Sequence, residues 1–109
     1  TECHDGGSCV VISSPRNEEV LDRAFVLNYS VRNGALDHCT EIIINGQPIV
    51  THSGGIAREK FCQDLVNLEL FLQPGDYKLK VVLLDRSRVE VSSASVSFTI
   101  EIPEWAREV

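Results

Sequence analysis

Alternation of apolar and polar residues over several stretches is the feature that most limits how this chain can fold. From Ala24 to Arg32, residues Phe25, Leu27, Tyr29 and Val31 fall on one face, and Val26, Asn28, Ser30 and Arg32 on the other. From Leu65 to Leu72 the apolar set is Val66, Leu68, Leu70 and Leu72; from Tyr77 to Asp85 it is Tyr77, Leu79, Val81 and Leu83. Val89 to Ile102 repeats the pattern, with Val96, Phe98 and Ile100 set against Ser95, Ser97 and Thr99. A period of two places successive side chains on opposite faces of a strand, and almost nothing here has the helical period of about 3.6.

Shorter apolar runs fill the first half of the chain. Val10-Val11-Ile12 is closed by Ser13-Ser14-Pro15, and Cys39 to Ile44 forms the next strand beyond the first alternating stretch. Asn45-Gly46 then predicts a tight hairpin leading into Pro48-Ile49-Val50, because both residues tolerate the left-handed backbone that such turns need. Between Thr51 and Asp64 the pattern lapses, which predicts a long loop around Gly54-Gly55. Gln73-Pro74-Gly75-Asp76 and Asp85-Arg86-Ser87-Arg88 read as turns. The total is about seven short strands, the pattern of an all-β sandwich.

A chain of 109 residues fits one domain, with a core from about residue 9 to 102 and a tail over 103–109. That tail, which contains Pro103 and Trp105, forms either one helical turn or a linker toward a following domain. No apolar run approaches the roughly 18 residues of a membrane span. With 16 acidic and 10 basic residues the net charge is −6, which argues against a nucleic-acid partner, since such proteins display a basic stripe.

Four cysteines, Cys3, Cys9, Cys39 and Cys62, predict two disulfides and an extracellular or secretory-pathway location. The sequon Asn28-Tyr29-Ser30 points the same way and makes Asn28, on the outer strand face, a candidate glycosylation site. Cys3-His4 and His38-Cys39 place imidazole beside thiol, but the close cysteine pairs usual for zinc are missing. Neither metal nor cofactor is expected.

Leu72-Gln73-Pro74-Gly75-Asp76-Tyr77, between two strands, resembles the tyrosine corner of immunoglobulin-like and fibronectin type III-like domains. The resemblance implies that the Tyr77 hydroxyl bonds back to the backbone near the turn, that Gly75 permits the turn, and that Leu72 packs beneath the ring. Strand Lys78-Leu79-Lys80-Val81 then continues like strand F of a seven-stranded Greek-key sandwich, and the opening strand ending in Ser-Pro before Val20 is similar to the first strands of such modules. The second and sixth strands lack the cysteines of antibody domains, and Trp105 lies outside the third strand, so antigen-receptor functions do not carry over.

In that fold strands A, C and E begin at one end of the molecule. Cys9, Cys39 and Cys62 would therefore converge there, with Cys3 near enough to join them. The resemblance implies Cys39–Cys62 with Cys3–Cys9 as the preferred pairing, and the other two connectivities stay open.

No catalytic set emerges, so an enzyme is not expected: the serines lack a nucleophile elbow, and Ser92, Ser93, Ser95 and Ser97 occupy polar strand positions. His4, His38 and His52 fall in expected loops and read as solvated side chains. Glu18-Glu19 and Asp85 do not form the clustered oxygen set that calcium takes, and read as solvated acidic surface. Arg58 and Lys60 in the long loop and Arg86 and Arg88 in the last turn are the only basic grouping, a candidate contact for an acidic glycan or an acidic protein patch, against the plainer reading of turn charges placed for solubility. Phe71, Val82 and Leu84 fall opposite the expected core; they form an exposed apolar patch, unless the strand register shifts and Phe71 is core. The expected function is a non-catalytic extracellular module for adhesion, interaction or spacing of neighbouring domains. The alternative is an accessory carbohydrate-binding module of a secreted glycan-processing enzyme, although aromatics at 6% are few for stacking on sugars.

Overall fold

The computed structural model describes residues 8–32, 38–45, 49–51 and 61–101. Eight strands form along them: β1 (Cys9–Ser14), β2 (Glu19–Leu21), β3 (Ala24–Arg32), β4 (Cys39–Ile44), β5 (Val50–Thr51), β6 (Leu65–Phe71), β7 (Gly75–Leu84) and β8 (Glu90–Ile100). They make two four-stranded sheets, in the orders β1-β3-β6-β5 and β2-β8-β7-β4. The protein is an all-β sandwich.

The alternating stretches supply its core. Leu27, Tyr29, Leu70, Leu79 and Val81 are inaccessible to solvent, and Phe25, Val66, Leu72, Tyr77, Leu83, Val96, Phe98 and Ile100 join them from facing strands. Each inner position recurs every second residue, so a one-residue slip would turn an entire apolar row outward; burial fixes the register.

The first strand is divided between the sheets. β1 runs antiparallel to β3, but beyond Pro15 the chain crosses over and β2 runs parallel to β8. Only three residues long and preceded by the polar Arg16-Asn17-Glu18, β2 leaves little trace in the sequence. If β1 and β2 count as one interrupted strand, there are seven, and the two sheets have the strand order of the constant-type immunoglobulin sandwich.

Asn45-Gly46 does not make a hairpin. β4 pairs with β7, whereas β5 pairs with β6 in the other sheet, so the two strands on either side of this pair are not hydrogen-bonded to each other.

The apolar patch also dissolves. Phe71 faces outward from one sheet and Val82 and Leu84 from the other. Phe71 is half-buried, with the Arg23 guanidinium 4.7 Å above its ring. Leu84 is half-buried, and Val82 is only 6% exposed although it sits on the outer side of β7. The side chains that are more exposed are Val20, Val26, Ile43, Leu65, Val89 and Val91, spread over both sheets.

Candidate functional site

Cys9 opens β1, Cys39 opens β4, and Cys62 shortly precedes β6, while β3 and β7 end alongside them at Arg32 and Leu84. All five strand ends therefore meet at one pole. Cys39 and Cys62 are joined by a disulfide with Cα atoms 4.0 Å apart. Cys9 is also disulfide-bonded. Cys3 lies outside the described residues, as do His4, His52, Arg58, Lys60 and Trp105.

The bridge is seated in a backbone ladder. Thr40 N–H donates to the Phe61 carbonyl at 2.7 Å, and Phe61 N–H returns a bond to the Thr40 carbonyl at 2.9 Å. Cys39 and Cys62 are the next residues outward from that pair, so the disulfide closes the two segments where their hydrogen bonding stops. Further out, His38 Nε2 lies 3.2 Å from Asp64 Oδ1. His38 is 7% exposed, so it is not the solvated loop side chain expected from its position beside Cys39. The Asp64 backbone carbonyl in turn accepts from Val31 N–H at 2.7 Å.

A polar connection through the core leads to the same place. Tyr29 on β3 is fully buried, and a buried phenol hydroxyl needs a partner. It meets Thr40 Oγ1 on β4, across the sandwich, at 2.6 Å. The Thr40 hydroxyl also contacts the Phe61 carbonyl at 3.0 Å. Burial raises the Tyr29 pKa above its ordinary value, with the Thr40 hydrogen bond as a smaller opposing influence. Neither residue stood out in the sequence as a site, yet an inward-facing tyrosine in an alternating strand was the available signal.

The turn after β7 projects from this pole, because Leu84 pairs with Cys39. Asp85 builds it: its Oδ1 accepts from Ser87 N–H at 2.8 Å and from Val89 N–H at 3.0 Å, and its carbonyl accepts from Arg88 N–H at 2.9 Å. Asp85 is thus committed to its own turn, an arrangement typical of short Asx turns. Arg86 and Arg88 are exposed on it, Arg88 with a φ of 63°, in the left-handed region. Likewise, Glu19 Oε1 accepts from Arg16 N–H at 2.8 Å, so this carboxylate serves the bend before β2.

At the opposite pole the Tyr77 hydroxyl donates to the Gln73 carbonyl at 2.5 Å. The ring is buried and stacks on Phe98, with centroids 5.8 Å apart. Gly75 has a φ of 153°, a backbone conformation that side chains rarely adopt, so glycine suits the turn; a Cβ there would meet the Tyr77 ring only at an ordinary contact distance of 3.7 Å. Leu72 is buried nearby. Tyr77→Phe is expected to cost about 1 kcal/mol, since the Gln73 carbonyl loses its donor; urea unfolding with an unchanged midpoint would contradict this.

Nearby, a shallow cleft of about 410 Å³ is lined by Glu18, Asn45, Asp76, Lys78, Ser97 and Thr99, together with Tyr77 and Phe98. Those two rings are buried, as are Phe25 and Tyr29, and Phe61 and Phe71 are half-buried. Among the described residues, then, no aromatic side chain is fully exposed. Asn28 lies on the outer face of β3, half-buried, and its Nδ2 donates to Asn67 Oδ1 on β6.

No family model matches the chain, and no curated protein matches it either. Among solved structures it is similar to the fibronectin(III)-like modules of CbhA from Clostridium thermocellum, with a TM-score of 0.60 and 10% identity over 85% of this chain and 97% of that one. At that identity the likeness speaks for the fold alone. The strand order and this likeness make the protein an immunoglobulin-like, fibronectin type III-like β-sandwich.

Proposed function

We propose that the chain is a non-catalytic extracellular module that spaces neighbouring domains and meets an acidic protein or glycan at its disulfide-bearing pole. The observation that carries this reading is the Cys39–Cys62 bridge with its Thr40–Phe61 ladder and the His38–Asp64 contact, directly beside the turn that presents Arg86 and Arg88. The 85–89 turn, held by the Asp85 hydrogen bonds, surrenders little conformational entropy on binding. Spacing is supported by the strand directions, because β1 begins at this pole and β8 ends at the other. The likeness to modules of a larger protein agrees with that role, and the disulfides suit an oxidising compartment. Tyr77 serves the scaffold as its corner, and the proposed contact includes Arg58 and Lys60, which precede Cys62 in the sequence.

Retention on a sulfated-glycan resin tests the pole. The protein is expected to bind at low ionic strength and to elute as salt rises, since a net charge of −6 leaves only a local basic patch to hold it. Replacing Arg58, Lys60, Arg86 and Arg88 with alanine should abolish retention. Replacing the exposed Ile43 and Val91 with serine should not. Undiminished retention of the four-alanine variant would overturn the assignment.

A further inference from the structure

The sequon has a structural setting that gives it a second meaning. β3 is flanked on both sides, by β1 and β6, so Asn28 sits in the interior of its sheet and not on an edge. Ser14 and Asn67 lie opposite it on the two neighbours. Its amide nitrogen, the atom that would carry a sugar, is taken by Asn67 as soon as β6 is in place. Around it the outward surface is partly apolar, with Val26 44% and Leu65 58% exposed and the half-buried Val11 opposite Ser30.

We propose that Asn28 is an N-glycosylation site used by the nascent chain and closed by folding, and that its glycan is the cover of the outward β1-β3-β6 face. The co-reactant is a polyprenyl-diphosphate-linked oligosaccharide. Asn28 Nδ2 attacks the anomeric carbon, a C–N bond forms as the C–O bond to diphosphate breaks, and the amide gives up one proton while polyprenyl diphosphate leaves. Ser30 supplies the hydroxyl that the transferase recognises. Because β6 follows β3 by more than thirty positions in the chain, β3 emerges and meets the transferase before β6 has emerged to pair with it. This inference rests on the extracellular reading for its setting, but not on the pole as the contact.

Two measurements test it. The first uses the chain expressed through a eukaryotic secretory pathway, followed by amidase deglycosylation and peptide mass mapping. One glycan is expected, marked by conversion of residue 28 from asparagine to aspartate and lost in Ser30→Ala. A secreted chain with unmodified Asn28 overturns the proposal; a chain retained in the cytosol with reduced cysteines would instead count against the extracellular reading. The second adds oligosaccharyltransferase and lipid-linked donor to unglycosylated protein. Reduced, unfolded chain should be modified and folded chain should not, by at least tenfold in initial rate. Equal rates would overturn closure by folding.

Discussion

Deleting the Cys39–Cys62 bridge, as the Cys39→Ala, Cys62→Ala double variant, is expected to destabilise the domain by about 3 kcal/mol. The bridge joins residues 23 apart in sequence, and closing a loop of that size removes that much conformational freedom from the unfolded chain. Native contacts need not change for the effect to appear, because the Thr40–Phe61 backbone bonds stay available. Urea titrations of both forms should therefore show a lower midpoint for the variant and strand content unchanged. Coincident midpoints would mean that the ladder alone holds the segment and the disulfide is incidental to stability.

Thr40→Val is expected to cost about 2 kcal/mol, a large effect for a change that barely alters shape. Valine cannot meet the Tyr29 hydroxyl, which is then buried beside methyl groups with no water to replace its partner. Tyr29→Phe should cost less, since Thr40 still reaches the Phe61 carbonyl. The double variant should fall short of the sum of the two, and strict additivity would show that the hydroxyls are not coupled. Alkali probes the same group. Tyr29 has a pKa raised in the folded state, so its contribution is complete below its ordinary value of 10.0 and declines as pH climbs through the folded value. Tyr77, raised by burial as well, acts in the same direction.

How far the sequence reveals this molecule depends on what each strand faces. The inner rows of β3, β6, β7 and β8 were legible because one side of each meets the core and the other carries polar residues. Where both sides are covered the rule fails: Val81 to Leu84 is a continuous apolar run, so alternation alone wrongly placed Val82 in the open. Asn45-Gly46 misled for another reason. Turn chemistry reports a local reversal, but not which sheet receives the chain afterwards. His38 looked like loop and is buried against a segment distant in sequence, where it meets Asp64, a long-range contact that local pattern does not contain. The pole itself was traceable through the order of the cysteines, whereas the Tyr29–Thr40 link depends on two strands in different sheets coming into register.

The division of the first strand has a mechanical consequence. β2 runs parallel to β8, and the chain reaches β2 from one pole and departs from β8 at the other. Tension between neighbouring domains would pull these two strands in opposite directions along their length. The bonds that tie them, including Glu18 N–H to the Ser97 carbonyl at 2.5 Å and Glu101 N–H to the Leu21 carbonyl at 2.9 Å, would be loaded together in shear instead of parting one after another. A strand of three residues that adds little to the core thus becomes the clasp on which a stretched array of such modules would depend.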